Sequence, residues 1–284
     1  MARRAHAGIA PFAWIGFGLA LIAAQSVASR GADAATRIAA EPAMPPPVVL
    51  ITLDTVRADH LGCYGYAPAR TPALDGLASE AVRFARAYTV VPITLPSHAV
   101  ILTGTYPMWN GVRDFTSPGL PAGVPTLAEI LKRNGYATAA FVSAYALNSM
   151  WGLNRGFDLY DDQMDLGTRT GSELLLVTRP GNLTTDRMLA WLDLHTAGPF
   201  FIWLHLYDAH SPYRSPEPYR SEHAGHPYDA AISFDDAQVG RVLTALRTKG
   251  LYGPTLIIVT SDHGESLGEH GESEHGFFVY NATV

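Results

Sequence analysis

The sequence holds a single cysteine, Cys63. An intrachain disulfide is therefore excluded, and so is any metal site built from cysteine alone. The thiol reads as a small, partly buried side chain. Charge is also sparse: 16% of the 284 residues are Asp, Glu, Lys or Arg, and the formal net charge is −6. No basic run or Lys/Arg stripe follows the first few residues, which argues against a nucleic-acid partner. Internal repeats and low-complexity tracts are lacking as well. What the chain does have is 48% hydrophobic residues, enough to bury a core. Its length supports one substantial domain, or one plus an incomplete second. It also has eleven histidines. Several stand beside acidic residues in the C-terminal half, a pattern suited to metal or phosphate chemistry.

The N-terminus reads as an address. Arg3 and Arg4 precede an apolar stretch over residues 8–24, and Ala32-Asp33-Ala34 offers an Ala-x-Ala cleavage site. Residues 1–34 thus read as an export signal. The apolar run approaches the ~20 residues that span a bilayer, so a retained anchor, and membrane association through it, is the alternative. Either way the remainder is expected outside the cytoplasmic membrane: periplasmic, extracellular, or anchored and facing outward. A Pro-rich linker is expected over residues 35–47, followed by a catalytic domain over 48–284.

That domain opens with Val48-Val49-Leu50-Ile51-Thr52-Leu53, a continuous apolar run of strand length. Runs of this kind suit strands buried on both faces. Similar runs occupy residues 199–204 and 255–259, and a weaker one 136–142. Helical patterns lie between them. One runs from Thr71-Pro72 through Ala81, with Leu74, Leu77 and Ala81 on one face. A second is capped by Thr126 and ended by Gly135. A third begins at Thr185 and carries Met188, Leu189 and Leu192. A long one spans about residues 228–249, with Ile232, Val239, Val242 and Leu246 inward. The expected fold class is α/β: a mostly parallel central sheet flanked by helices on both faces.

Open α/β sheets place ligands beyond the carboxyl ends of their strands. Asp54 follows the first run. Asp262-His263-Gly264-Glu265 follow the 255–259 run. His205, Asp208 and His210 follow the 199–204 run. If these ends converge, they supply carboxylates and imidazoles to one cleft. Taken singly, Asp54 also suits a turn, and His205 suits a satisfied buried histidine. Pro96 suits a first helical turn and Gly104 a stop, which places Thr94 just before a helix N-terminus. Such a place can seat an anion, but taken alone it favours an ordinary Thr N-cap.

Four blocks in order resemble the sulfatase family of the alkaline-phosphatase superfamily. They are Ile51-Thr52-Leu53-Asp54-Thr55-Val56-Arg57-Ala58-Asp59; Thr94-Leu95-Pro96-Ser97-His98 with Leu102-Thr103-Gly104; Tyr207-Asp208-Ala209-His210-Ser211-Pro212-Tyr213; and Ser261-Asp262-His263-Gly264-Glu265 with His275-Gly276 and Tyr280. The departures are specific. Thr94 stands where sulfatases carry the Cys or Ser that becomes formylglycine. His98 stands for the family arginine, Thr55 for the second of two paired acids, and His263 for an asparagine. All four resemble the superfamily's threonine branch of phosphodiesterases, phosphoethanolamine transferases and lipoteichoic-acid synthases.

The resemblance implies one divalent cation held by Asp54, Thr94, Asp262 and His263. Three oxygens and one imidazole shift preference toward Zn²⁺ or Mn²⁺, with Ca²⁺ as the family alternative. A second ion would draw on Asp208, His210 and His275. Thr94, His210 and His275 are the implied catalytic residues; His98, His210 and His275 the implied substrate contacts. The implied reaction is phosphoryl transfer through Thr94 on a small-molecule, glycan or lipid-headgroup ester. The alternatives are sulfuric ester hydrolysis and a non-catalytic metal-binding pseudoenzyme. The resemblance also implies that the domain is incomplete, lacking the smaller C-terminal subdomain of the family.

Overall fold

β1, Val48–Leu53, is flanked on both sides by parallel strands. In the computed structural model the described residues are 44–284. The expected signal or anchor, and residues 35–43 of the expected linker, lie outside them. The remaining strands are β2 (Ala137–Phe141), β3 (Leu159–Asp161), β4 (Phe200–Leu206) and β5 (Leu256–Ser261), in the order β3-β2-β4-β1-β5. Every pairing is parallel. No described helix is long and apolar enough to cross a membrane.

Alternate residues of the central strands feed two separate cores, as a period of two requires. Val49, Ile51 and Leu53 of β1 pack with Phe200, Ile202 and Leu204 of β4 on one face. That face is covered by α1 (Pro72–Glu80), α4 (Gly181–Leu194) and α5 (Pro227–Thr248). On the other face Leu50, Phe201 and Trp203 pack against α2 (Thr94–Thr103) and α3 (Leu127–Arg133). This is the expected sheet covered on both sides.

The helices start where local chemistry satisfies their first N–H groups. Thr126 and Glu129 form a reciprocal capping box at α3. α1 has Pro72 in its first turn, and its Ala73 and Leu74 N–H groups donate to Asp236 of α5 at 3.1 and 2.8 Å. α4 begins at Gly181, four residues before the expected Thr185, because the Gly181 N–H finds the Asp208 carboxylate at 2.9 Å. Ile232, Val239, Val242 and Leu246 of α5 are buried as read.

Two expectations need correction, and one strand had none. β5 is an edge strand, not one buried on both faces: Leu256 is 52% and Ile258 40% exposed. Ala81 lies past the end of α1 and is exposed, so only Leu74 and Leu77 of its stripe pack inward. β3, three residues long, carried no readable signal.

Candidate active site

β1 lies between β4 and β5, and register pairs Leu53 with Leu206 on one side and Ser261 on the other. Asp54 and Asp262 therefore leave neighbouring strands at the same level. Both are buried, as is His263. One ligand atom from each of Asp54, Asp262 and His263 lies within 4.8 Å of the other two.

Each carboxylate has one anchored oxygen and one bare one. Asp54 Oδ2 is 3.1 Å from His205 Nε2. The Ser143 N–H donates to His205 Nδ1 at 3.3 Å, so Nε2 carries the ring proton and donates to Asp54. Asp262 Oδ1 accepts from the N–H groups of Thr55 and His263 at 3.2 and 2.8 Å. Asp54 Oδ1 and Asp262 Oδ2 have no hydrogen-bond partner, though buried. His263 Nδ1 donates to the Gly264 carbonyl at 2.9 Å, leaving the Nε2 lone pair 3.5 Å from Thr94 Oγ1.

The electrostatics agree with a cation site. Burial pushes the Asp54 carboxyl up to about 7, against the opposing pull of His275. Burial, then the charge of Asp54, holds Asp262 well above the usual carboxylate range. Burial, then the charge of His275, keeps the His263 ring neutral, the form a metal ligand must have. Two buried carboxylates with a bare oxygen each are costly unless a positive charge joins them. A histidine fixed through its second nitrogen by a carbonyl is the usual form of a metal-ligating imidazole. The donor set fits a divalent cation.

Thr94 is the first residue of α2, not its cap. The capping position belongs to Ile93, and no side chain caps there. The ordinary N-cap role is thus absent, and the Thr94 hydroxyl is turned to His263 instead. Ser97, one turn on, donates to the Asp262 carbonyl at 2.7 Å and ties α2 to the exit of β5.

His98 sits beneath this turn with no exposure. Trp203 Nε1 donates to Thr52 Oγ1, Thr52 donates to His98 Nε2, and His98 Nδ1 donates to the Thr94 carbonyl, at 3.0, 3.1 and 2.8 Å. Burial pushes the ring pKa down to about 4, so it is neutral. Both nitrogens are engaged inside the protein. The structure does not bring His98 to the cleft as a substrate contact.

His210 and His275 are brought together, partly exposed, beside His263. Ring centroids are 4.9 Å apart for His210–His275 and 4.3 Å for His263–His275. His210 stacks on Tyr207 at 4.3 Å. His275 Nδ1 donates to the fully buried Glu265 at 2.8 Å. Burial works to lower the His275 pKa, but the Glu265 hydrogen bond and charge outweigh it, and the net shift is upward. Asp208 does not join them: its carboxylate faces the Gly181 N–H and Asp235. The expected second-ion set of Asp208, His210 and His275 is therefore not assembled.

A family model described as Sulfatase matches residues 46–281. The chain belongs to the sulfatase family. It is 30% identical over 271 residues to human arylsulfatase A, covering 78% of this chain and 52% of that protein. It is 30% identical over 274 residues to N-acetylgalactosamine-6-sulfatase of Rattus norvegicus, covering 81% and 52%. The chain thus spans about half the length of these curated relatives. Among solved structures, the phosphonate monoester hydrolase of Agrobacterium radiobacter superimposes with a TM-score of 0.71 at 23% identity. That match covers 84% of this chain and 66% of the other, and shows a shared fold.

Two site residues carry no assigned role in the sequence reading, Ser97 and Glu265, both of which appear there only inside quoted motifs. His205 is the satisfied buried histidine expected; that its partner is Asp54 depends on strand order.

Proposed function

We propose that this chain carries the nucleophile of a metal-dependent ester hydrolase or transferase, and that Thr94 performs phosphoryl transfer. The observation that supports this most directly is the Thr94 hydroxyl, 3.5 Å from His263 Nε2 at the start of α2. Asp54, Asp262 and His263 would hold the cation with Thr94 as the fourth ligand. That cation would supply the positive charge that eases ionisation of a hydroxyl. Two oxygens from carboxylates, one from a hydroxyl and one imidazole nitrogen favour Zn²⁺ or Mn²⁺ over Ca²⁺.

The chain's own groups do the rest. Thr94 Oγ1 loses its proton to solvent water as the cation would ease its ionisation, and then attacks phosphorus. A Thr94–phosphate ester forms as the bond to the leaving oxygen breaks. His275, held by Glu265, hands that oxygen a proton. The backbone N–H groups of the first turn of α2, with His210, face the charge on the non-bridging oxygens. Water or an alcohol then breaks the ester and restores Thr94. The substrate class is a small-molecule, glycan or lipid-headgroup phosphate ester. Export, by way of residues 1–34, belongs to the same reading.

Sulfate-ester hydrolysis is the second reading, favoured by the names of the curated relatives. Thr94 stands against it, since its Cβ bears a methyl group and cannot become the formylglycine aldehyde. The test compares aryl phosphate mono- and diesters with aryl sulfates on the metal-loaded protein. Thr94→Ala is expected to lower phosphate-ester turnover by at least roughly a thousandfold. Dominant sulfatase activity that survives Thr94→Ala refutes the proposal.

A further inference from the structure

Thr55 follows Asp54 at the turn leaving β1 and has no exposed surface. Its φ is +58°, in the left-handed region that β-branched residues avoid. Every polar atom it owns is engaged. Its N–H donates to Asp262 Oδ1 at 3.2 Å. Its hydroxyl lies 2.7 Å from the Asp54 carbonyl and 2.8 Å from the Ala209 carbonyl. Its own carbonyl accepts from the Tyr228 hydroxyl at 2.6 Å. The exits of β1, β4 and β5 and the first turn of α5 therefore meet on one residue.

A strained backbone persists only where its surroundings over-determine it. Here the result of the strain is visible. The left-handed turn aims the Thr55 N–H sideways at β5, where it shares Asp262 Oδ1 with the His263 N–H. With Oδ1 claimed twice, Oδ2 is the oxygen left without a partner. The Thr55 hydroxyl is not itself a ligand, because it faces two carbonyls.

Building on the cation-site reading above, we infer that Thr55 is a positioning residue for the cation: it locks Asp262 in the orientation that leaves Oδ2 free. Its hydroxyl and Tyr228 hold the backbone conformation that does so. A residue that merely tied the fold together would affect stability and leave cation affinity alone.

The experiment titrates MnCl₂ calorimetrically into the chelator-stripped full chain, with melting followed in parallel. Thr55→Val keeps the shape and the backbone N–H but removes the hydroxyl that holds the turn; its Mn²⁺ affinity is expected to fall about 10–100-fold. Thr55→Ser restores the hydroxyl and is expected to bind within about threefold of wild type, well inside that effect. Tyr228→Phe, which touches no ligand, is expected to weaken binding in the same direction. Wild-type affinity in Thr55→Val overturns the inference, as does a Thr55→Ser variant as weak as Thr55→Val. Should Thr55→Val fail to fold, Tyr228→Phe decides, and unchanged Mn²⁺ affinity there overturns it. A wild-type chain that takes up no Mn²⁺ refutes the cation site itself; wild-type binding with an indifferent Thr55→Val refutes only the role of Thr55.

Discussion

Replacing His205 tests the cation site without touching a ligand. Its imidazole is completely buried and donates to Asp54 Oδ2 at 3.1 Å. In His205→Ala that oxygen loses its donor, and Asp54 Oδ1 already has none. A buried acceptor left unsatisfied costs about 1–3 kcal/mol, and more when charged. At 1.4 kcal/mol per factor of ten, this corresponds to roughly 5–150-fold. Removing the partner that orients a metal-ligating group has a similar effect, typically 10–100-fold in metal affinity. We therefore expect His205→Ala to weaken Mn²⁺ or Zn²⁺ binding by about 10–100-fold. His205→Gln can still offer an N–H toward Asp54 and is expected to recover most of that loss. Calorimetric titration of the stripped protein reads the affinity, and circular dichroism confirms that each variant is folded. If His205→Ala titrates like wild type, Asp54 is not a ligand oriented by His205, and the reasoning fails.

Two further outcomes follow from the same geometry. Burial lifts the folded-state pKa of Asp54 from 3.8 to about 7, so between these values the cation-free fold binds a proton that the unfolded chain does not. Its contribution to stability is present below the unfolded value and is lost as pH rises through about 7. Between roughly pH 5 and pH 8 the melting temperature of the stripped wild-type protein should therefore fall more, or rise less, than that of Asp54→Asn, and Mn²⁺ should stabilise the wild type at the upper end; identical pH profiles for the two proteins contradict the account. Asp236→Ala removes both acceptors from the first turn of α1, which should cost about 2 kcal/mol and lower the melting temperature by about 4–8 °C. A change of less than a degree in a thermal melt would show that α1 does not depend on that cap.

The parts of the fold legible in the sequence are those where local composition and tertiary role coincide. β1 and β4 are central strands packed on both faces, and their unbroken apolar runs follow from that. β5 has the same composition but lies at the margin, and an apolar run does not reveal which of its faces is covered. The early start of α4 was hidden because its first N–H is satisfied by Asp208, remote in sequence. In the site, Asp54, Asp262 and His263 were legible as strand-end residues and were grouped by the family resemblance; that they meet follows from β1 and β5 being neighbours, which strand composition does not reveal. His98 resisted the same logic. It lies one helical turn after Thr94, so its ring folds back onto the Thr94 carbonyl. Its other contact, Thr52, is fixed by how α2 seats on the sheet.

The position of β5 also bears on how the site responds to its surroundings. Among the described residues no strand pairs with its outer edge, so a row of backbone donors and acceptors faces outward beside Leu256 and Ile258. An open margin of this kind is a template for another strand. The next residues after β5 are Asp262 and His263. Any polypeptide that zips onto that margin grips the strand from which two of the four proposed ligands hang. Among the described strands, β1 alone fixes the level of that strand end, through the pairing of Leu53 with Ser261.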